Sequence, residues 1–189
     1  MVAAVVLAAG LARRMGRQKL LLPLRGKPVV RWSVEALIPH VDDVLVVTGH
    51  AAAEVQTALA GLAVRFVHNA NPEWGQGSSI AVGVAALAPP TDAVLIALGD
   101  QPGLPADVVP ALLHAFGGGG GAIVTPLYRG RQGTPVVFGA EVFPELRKLT
   151  GDAGARTVVR ASPERVREVR FDVPMPDDID TPEDYARLM

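Results

Sequence analysis

The chain begins with an uninterrupted apolar run, residues 2–7, that leads directly into a loop carrying glycines and fixed positive charges. The run shows no alternation of polar and apolar residues, which is typical of a strand covered on both faces in a parallel α/β sheet. The loop contains Gly10, Arg14, Gly16 and Lys19. Glycines let the backbone approach a ligand closely, and amide groups and cations bind phosphate oxygens. This order of strand and basic loop predicts an α/β fold that binds a nucleoside triphosphate after its first strand.

Apolar and β-branched runs recur along the chain and alternate with segments of helical periodicity. The predicted strands are residues 2–7, 43–48, 64–67, 93–98, 122–125, 135–138 and 167–171. The predicted helices are residues 29–37, 53–59, 79–87, 106–115, 141–149, 155–161 and 181–189. This alternation favours a Rossmann-like three-layer αβα sandwich with a mostly parallel central sheet. With 189 residues, 49% of them hydrophobic, the chain is expected to form one domain over residues 1–189.

Composition narrows the possible partners. The chain has 18 basic and 19 acidic residues, so no strong net field favours nucleic acid or an anionic membrane. It has no cysteine, which excludes a thiolate nucleophile and a thiolate metal site. The positive charges follow the apolar start instead of preceding it, which is the wrong order for a secretory signal. No apolar stretch approaches the roughly 20 residues that a membrane helix requires, and we expect a cytoplasmic protein.

Two familiar phosphate-binding loops do not match the residues after the first strand. A P-loop requires lysine followed by serine or threonine directly after its second glycine, whereas Gly16 is followed by arginine and glutamine. The dinucleotide fingerprint requires three closely spaced glycines, but Gly10 stands alone until Gly16. What remains is a looser loop in which the Arg14 guanidinium and the Lys19 ammonium would hold the triphosphate. The alternative is a solvated basic loop without a ligand.

A carboxylate follows the apolar run at residues 93–98. Pro102 cannot continue a strand and also restricts the residue before it, so the strand should end near Asp100. Open α/β sheets bind ligands at the carboxyl ends of their strands, and a carboxylate there suits a Mg²⁺ ion shared with phosphate oxygens. Asp100 is therefore a candidate magnesium ligand, or else an aspartate that turns the chain into the next helix.

A second acidic segment lies near the end of the sequence. Thr181 is a suitable helix N-cap, and the proline and acidic residues after it favour the start of a helix. Asp177, Asp178 and Asp180 precede this cap and are not explained by it. One of them could complete a metal site with Asp100, and their spacing alone does not say which.

The segment from Asn71 to Ser79 predicts a loop that ends at the amino terminus of a helix, with Ser78 as the cap. A helix amino terminus favours an anion or the edge of a base. Asn71 and Ser78 are therefore candidate nucleotide-binding residues, and ordinary helix capping is the equal alternative.

Several motifs together resemble the molybdenum-cofactor nucleotidyltransferases, MobA-like members of the wider sugar-nucleotide and cytidylyltransferase superfamily. The first comprises Leu-Ala-Ala-Gly, Arg-Met-Gly, Lys-Leu-Leu-Leu-Pro-Leu and Gly-Lys-Pro within residues 7–28. The others are Gly-Asp-Gln-Pro at 99–102, residues 133–138, Gly-Asp-Ala-Gly-Ala-Arg at 151–156, and Asp-Ile-Asp-Thr-Pro-Glu-Asp at 178–184. These motifs span nearly the whole chain in family order and imply the fold of the nucleotide-diphospho-sugar transferases.

The resemblance implies a role for each matched residue. Those assigned to the nucleotide are Leu7, Ala8, Ala9 and Gly10 for the base, and Arg14 and Lys19 for the triphosphate. Asp100 would bind Mg²⁺, and Asp180, the acidic residue directly before Thr-Pro-Glu-Asp, would complete the metal site. Arg14, Lys19 and Asp100 would then be the catalytic residues.

The resemblance also implies substrates. Related guanylyltransferases usually carry two glycines where this chain has Ala9 and Gly10, so the Ala-Ala-Gly form favours CTP over GTP. The implied reaction transfers CMP to the terminal phosphate of molybdopterin, the organic part of the molybdenum cofactor, and releases pyrophosphate. Relatives often have histidine where this chain has Thr134, which leaves the acceptor open.

Other functions fit the same motifs. The alternative enzymes are a GTP-dependent guanylyltransferase and a nucleotidyltransferase for another small phosphate, such as a sugar phosphate, an isoprenoid-precursor phosphate or phospholactate. A protein of another class would carry the cofactor to a molybdenum-dependent oxidoreductase without catalysis.

Overall fold

The molecule is built around its first strand, which lies in the interior of a central sheet. This computed structural model describes residues 1–10, 18–119, 121–152 and 154–189. The strands are β1 (Val2–Ala8), β2 (Pro23–Leu24), β3 (Lys27–Pro28), β4 (Asp43–Thr48), β5 (Arg65–His68), β6 (Ala93–Leu98), β7 (Ile123–Tyr128), β8 (Arg131–Gln132), β9 (Val136–Gly139) and β10 (Val166–Phe171). The helices are α1 (Val29–Glu35), α2 (Ala52–Ala58), α3 (Gln76–Ala85), α4 (Val108–Gly117), α5 (Phe143–Leu146), α6 (Arg156–Ala161) and α7 (Pro182–Leu188).

The sheet is mostly parallel. Within the described residues its order is β10-β7-β9-β6-β1-β4-β5, with β8 paired to β7. Strand β1 runs parallel to both β4 and β6, so that Leu7 lies beside Val47 on one side and Leu98 on the other. Strand β5 is parallel to β4 and β10 to β7, whereas β9 is antiparallel to β6 and β7. The carboxyl ends of β1, β4 and β6 therefore meet at one edge of the sheet.

Side chains of β1 alternate between two hydrophobic layers. Ala4 and Val6 pack with buried side chains of α1, α2 and α4, whereas Val5 packs with those of α3, α5 and α6. All three residues of β1 are 0% exposed. Helices thus cover both faces of the sheet, which explains why this strand has no polar position. The predicted three-layer α/β fold with a mostly parallel sheet is confirmed.

The predicted elements are present, but several end at other residues. All seven predicted strands are found, and β7 continues to Tyr128, beyond its predicted end. The predicted helix 141–149 is reduced to a 3₁₀ turn followed by α5, which ends at Leu146, because the chain then turns to pack against α3. Strands β2, β3 and β8 span two residues each, too few to give a periodic signal. In the described part of the chain, no helix is long and apolar enough to cross a membrane.

Candidate active site

A cleft of about 1220 Å³ opens at the edge of the sheet where β1 and β6 end. Its walls are formed by the end of β1, the turn at Lys19, the residues that start α3, the tip of β6, helix α6 and the segment that precedes α7. This is the edge at which open α/β sheets bind their ligands. The cleft is therefore the candidate active site.

Three charged residues that are far apart in the sequence meet in this cleft. The Lys19 ammonium lies 2.5 Å from a carboxylate oxygen of Asp100 and 2.7 Å from one of Asp180. The side chains of Lys19 and Asp100 are 13% and 17% exposed, whereas that of Asp180 is 46% exposed. Burial alone lowers the pKa of Lys19, but the charges and hydrogen bonds of the two carboxylates outweigh burial and raise the pKa above its ordinary value. Lys19 is therefore held as a cation.

Local structure explains how Lys19 and Asp100 reach the same place. Lys19 begins a 3₁₀ turn whose next residue, Leu20, is 2% exposed and anchors the turn in the core. The Gly99 amide donates to the Leu7 carbonyl at 3.0 Å, so that Asp100 leaves the sheet beside the end of β1. A Cβ atom at Gly99 would lie only 3.0 Å from that carbonyl oxygen. The glycine thus permits the close approach that sets Asp100 against the turn.

Asp180 reaches the cleft through the packing of its neighbour. Ile179 is 0% exposed and belongs to a small apolar cluster with Leu22, Leu24 and Val29. The Ile179 amide also donates to the Asp100 carbonyl at 3.2 Å. The end of the chain is thereby attached to both the tip of β6 and the segment that follows Lys19.

Helix α7 begins directly after Asp180, with the predicted cap. The Thr181 hydroxyl oxygen accepts a hydrogen bond from the Asp184 amide at 3.2 Å. The Asp184 carboxylate accepts hydrogen bonds from the amides of Asp180 and Thr181 at 3.1 and 2.8 Å. Hydrogen bonds that the Asp184 carboxylate accepts from Thr181, first from its side chain and then from its backbone amide, have the largest effect and lower the pKa of Asp184 to about 2. The capping box therefore fixes the backbone of Asp180 from the carboxyl side.

Asp178 lines the same cleft and has a different partner. Gln101 is 6% exposed and donates from Nε2 to Asp178 Oδ1 at 2.7 Å. Two effects raise the pKa of Asp178. The larger is the loss of water around its carboxylate, and the next is the negative charge of Asp100. Of the three acidic residues before Thr181, Asp178 and Asp180 thus border the cleft, Asp180 contacts Lys19, and Asp177 is an exposed residue.

The positions of Asp100 and Asp180 suit a divalent cation that is shared with a phosphate group. Both residues present a carboxylate oxygen to one positive centre, the Lys19 ammonium, so the two oxygens already face a common point. Mg²⁺ in nucleotide sites is held by one or two carboxylates and takes its remaining ligands from water and phosphate. The described residues contain no group of three or more His, Asp or Glu arranged to hold a metal ion.

The residues expected to hold the base lie at the end of β1. Leu7, Ala9 and Gly10 line the cleft, whereas Ala8 is 3% exposed and packs in the layer of α1 and α4. Gly49, just after β4, approaches Ala9 so closely that a Cβ atom would lie 2.8 Å from the Ala9 carbonyl oxygen. Arg14, the other predicted triphosphate ligand, lies outside the described residues.

The start of α3 differs from its predicted form. The helix begins at Gln76, because Gly75 adopts a φ of 91° that turns the chain into the helix earlier than expected. Ser78 therefore lies inside the helix, and its prediction as the cap is wrong. Its hydroxyl lies 2.8 Å from the Gly75 carbonyl oxygen and 3.2 Å from that of Asn71, so both residues contribute to local structure. Neither belongs to the described lining of the cleft.

The next residue, Ser79, lines the cleft instead. Its hydroxyl oxygen accepts from Nδ2 of Asn69 at 3.0 Å, and Asn69 is 2% exposed. No described residue accepts a hydrogen bond from the Ser79 hydroxyl, so its hydrogen can be donated to an acceptor in the cleft. Residues 78 and 79 are both serine, so only the register of the helix decides which of them faces the ligand.

Two arginines of α6 that had no assigned role also line the cleft. Arg156 and Arg160 are four residues apart and lie on one face of the helix. Neither guanidinium forms a hydrogen bond or an ion pair with another described residue. Their spacing directly after the Gly-Asp-Ala-Gly-Ala motif was the sequence signal that could have identified them.

Glycines attach the loop before α6 to the start of α3. A Cβ atom at Gly75 would lie 2.3 Å from the carbonyl carbon of Gly151, and one at Gly154 would lie 2.2 Å from Oε1 of Gln76. The Gly77 amide donates to the Gly151 carbonyl at 2.8 Å. This packing places the α6 arginines on the same cleft as the end of β1.

Comparisons with known proteins agree with this architecture. A family model for the MobA-like NTP transferase domain matches residues 4–167. The chain is 37% identical to the purine catabolism protein PucB of Bacillus subtilis, over 96% of this chain and 92% of that protein. It is 37% identical to nicotine blue oxidoreductase of Paenarthrobacter nicotinovorans, over 100% and 96%. It is 24% identical to the molybdenum cofactor cytidylyltransferase of Escherichia coli, over 96% and 92%.

Solved structures share the fold over nearly the full length. Rv0371c from Mycobacterium tuberculosis, in complex with manganese, superposes with a TM-score of 0.86 at 30% identity, covering 99% of this chain and 97% of that one. A nucleotidyl transferase from Methanothermobacter superposes with a TM-score of 0.85 at 31% identity, covering 100% and 95%. The likeness therefore includes both the sheet and the segments that build the cleft.

Proposed function

Because the chain belongs to the MobA-like NTP transferase family, we propose that it transfers CMP from CTP to the terminal phosphate of molybdopterin, with release of pyrophosphate. The observation that carries this proposal is the meeting of Lys19, Asp100 and Asp180 at the ligand-binding edge of the sheet. A cation between two carboxylates, all three lining one large cleft, is suited to a metal–triphosphate complex.

The reaction depends more on the neutralisation of phosphate charge than on a strong general base. A phosphate oxygen of the acceptor attacks the α-phosphorus of CTP, a new P–O bond forms, and the bond from the α-phosphorus to the bridging oxygen breaks, so that pyrophosphate leaves. A phosphate monoester, with a second pKa of about 6, is already largely deprotonated at neutral pH. The barrier therefore lies in bringing two anions together and in stabilising the leaving group.

Each charged residue has a place in this scheme. Asp100 and Asp180 would hold Mg²⁺, which when bound neutralises phosphate charge. Lys19, a compact cation, would pair with the triphosphate, and Arg14 is proposed to do the same. On α6, Arg156 and Arg160 are available for the anionic acceptor, since no described residue pairs with them.

The choice of base rests on the end of β1. Ala9 occupies a position where a second glycine would favour a guanylyltransferase, and we propose CTP as the donor. Ser79 supports a base-binding role for this part of the cleft, because it lines the same cleft as Leu7 and Ala9 and no described residue accepts its hydroxyl hydrogen. The similarity to a molybdenum cofactor cytidylyltransferase supports both the donor and the acceptor. The product would then pass to a molybdenum-dependent oxidoreductase.

The test is pyrophosphate release, measured with each of the four nucleoside triphosphates, with and without purified molybdenum cofactor. We expect release with CTP and Mg²⁺ only when the cofactor is present. Release with GTP instead would correct the donor, and release with a sugar phosphate or an isoprenoid-precursor phosphate would correct the acceptor. Cofactor binding without any pyrophosphate would refute the enzymatic reading and favour a carrier.

The Asp100→Asn variant tests the site itself. We expect it to lose metal-dependent turnover while remaining folded, because an amide cannot neutralise the metal as a carboxylate does. Asp107→Asn is the matched control, since Asp107 is an exposed residue just before α4. If Asp100→Asn retains nearly full activity with Mg²⁺, the site is assigned wrongly.

A further inference from the structure

Gln101 is a buried polar residue at the edge of the cleft, and the proposed chemistry gives it no role. It is 6% exposed and uses both ends of its amide. Oε1 accepts from the Thr134 hydroxyl at 2.5 Å, and Nε2 donates to Asp178 Oδ1 at 2.7 Å. If the amide turned over, its oxygen would face the Asp178 carboxylate, and two acceptors would repel each other. The amide therefore has one favourable orientation.

Thr134, whose hydroxyl donates to this amide, is itself held by the core. The Thr134 carbonyl accepts from the Tyr128 hydroxyl at 2.8 Å. Tyr128 is 1% exposed, and its ring lies against that of Phe171 with centroids 5.7 Å apart. A Cβ atom at Gly133 would lie 2.9 Å from the Tyr128 ring, so the chain passes the ring more closely than a residue with a side chain could without a shift. Thr134 is thus held in place by contacts with buried residues of the protein.

The partner of the amide, Asp178, is two residues before Asp180. Both carboxylates border the cleft, whereas Ile179 between them is buried on the opposite side. Such alternation is typical of an extended segment, in which the side chains of residues i and i+2 share a face. An anchored Asp178 therefore limits the directions open to the backbone that carries Asp180, together with the Ile179 packing and the α7 cap.

Electrostatics also favours this attachment. Asp100, Asp178 and Asp180 bring three carboxylates to one end of the cleft, and the Lys19 ammonium contacts two of them. Asp178 is an exposed residue and the Asp180 side chain is 46% exposed, so water weakens the repulsion among these like charges without abolishing it. The Gln101 amide offers Asp178 a hydrogen bond that favours its charged form and keeps it in place.

We propose that Gln101 is a positioning residue, held by Thr134, that fixes Asp178 and thereby helps to set Asp180 against Asp100 and Lys19. This inference rests on the proposed function, because it concerns the carboxylates assigned to the metal. Replacing a residue that hydrogen-bonds to metal ligands, and so orients them, commonly changes metal affinity or activity by about 10–100-fold.

The main test replaces Gln101 by methionine, which is similar in size but has no amide. Mn²⁺ affinity is measured by electron paramagnetic resonance, in the presence of α,β-methylene-CTP, an analogue that cannot react. We expect about a tenfold or larger loss of Mn²⁺ affinity and a similar loss in kcat, with the KM for the acceptor unchanged. Affinity for the nucleotide in EDTA should also be unchanged, which a general disturbance of the fold would not allow.

A matched pair at Thr134 tests whether its hydroxyl holds the amide in place. Thr134→Ser keeps the hydroxyl and should retain wild-type Mn²⁺ affinity. Thr134→Val keeps the shape but removes the hydrogen bond to Oε1 of Gln101, so the amide is held by Asp178 alone, and we expect it to lose part of the affinity that Gln101→Met loses. The pair also keeps the inference testable if Gln101→Met does not fold, as judged by thermal unfolding.

Asp180→Asn separates this inference from the proposed function. If Asp180→Asn binds Mn²⁺ as the wild type does, the metal site and the proposed function fail together. If Asp180→Asn loses Mn²⁺ affinity but folded Gln101→Met and Thr134→Val both retain it, the positioning role of Gln101 is overturned and the proposed function stands.

Discussion

At the residue scale, the Lys19 ammonium lies where two proposed ligands, a metal ion and a triphosphate, would both interact. Without a ligand it lies between Asp100 and Asp180, where a metal ion would also bind. With a ligand it is proposed to pair with the triphosphate. The two carboxylates raise its pKa, so the group is charged in either state at neutral pH. If the proposed metal site is correct, a metal ion and Lys19 would compete for the same carboxylate oxygens in the absence of nucleotide.

Replacing Lys19 by methionine should affect nucleotide and metal in opposite directions. We expect the affinity for α,β-methylene-CTP to fall about tenfold or more, as is usual when a charged hydrogen bond is lost. Mn²⁺ without nucleotide should bind more tightly, because the competing cation is gone. Calorimetric titration measures both, with Lys27→Met as the control, since Lys27 pairs with Glu35 away from the cleft. Unchanged affinity for both ligands would contradict the assignment.

At the scale of elements, turns and caps place the functional groups more than the long helices do. The 3₁₀ turn presents Lys19, the tip of β6 presents Asp100, and the cap of α7 holds the backbone of Asp180. Glycines allow these short segments to pass one another at distances that a side chain would prevent. The site is therefore sensitive to small changes at element ends.

The cap of α7 should make stability depend on pH. The pKa of Asp184 is lowered from 3.8 to about 2 in the folded protein, chiefly by its hydrogen bonds with Thr181. A lowered pKa contributes stability that is complete above the unfolded value and is lost as the pH falls through the folded value. The melting temperature of Asp184→Ala should thus lie below that of the wild type at neutral pH, and the gap should close between about pH 4 and pH 2. Asp177→Ala, at an exposed position, should show no such trend.

Gly75 tests the contact between α3 and the loop before α6. Alanine there would adopt a φ of 91° and place its Cβ atom 2.3 Å from Gly151. Gly61→Ala is the control, because Gly61 has a φ of 81° but no neighbouring atom within 4 Å. Backbone strain alone costs about 1–3 kcal/mol, so Gly75→Ala should lower the free energy of unfolding by more than Gly61→Ala does. Urea unfolding measures the difference, and equal values would show that the contact is not tight.

At the scale of the whole molecule, the end of the chain completes a site that its beginning starts. The cluster of Ile179 with Leu22, Leu24 and Val29 joins residues more than a hundred positions apart. The sheet alone places Lys19 near Asp100, whereas this cluster adds Asp178 and Asp180. The packing of Ile179 against Leu22, Leu24 and Val29 therefore decides that these two carboxylates reach the cleft.

The variant Ile179→Ala should separate this packing from general stability. Ile179 and Ile123 are both 0% exposed, and truncating either should cost about 2–5 kcal/mol of unfolding free energy. At temperatures where both variants are folded, only Ile179→Ala should weaken Mn²⁺ binding with α,β-methylene-CTP. Equal effects of Ile179→Ala and Ile123→Ala on Mn²⁺ affinity would contradict this role.

Much of the architecture could be predicted from the sequence, because it depends on local patterns. The continuous apolar character of β1 predicted a strand covered on both faces, and Thr181 with Pro182 predicted the start of α7. The motifs identified the family, which the comparison confirms over residues 4–167. Helix ends were less predictable, since Gly75 starts α3 three residues early through contacts with a distant loop.

By itself, the sequence determined the order of strands and helices, the acidic tip after β6, the basic turn at Lys19 and the cap of α7, since periodicity and capping act over a few neighbouring residues. Only the tertiary structure decided that Asp180 meets Lys19 while Asp178 meets Gln101, and that Ser79 faces the cleft in place of Ser78. It also brought Arg156 and Arg160 to the same cleft. These choices depend on packing between segments distant in sequence and on helix register, and neither has a signature in the spacing of residues along the chain.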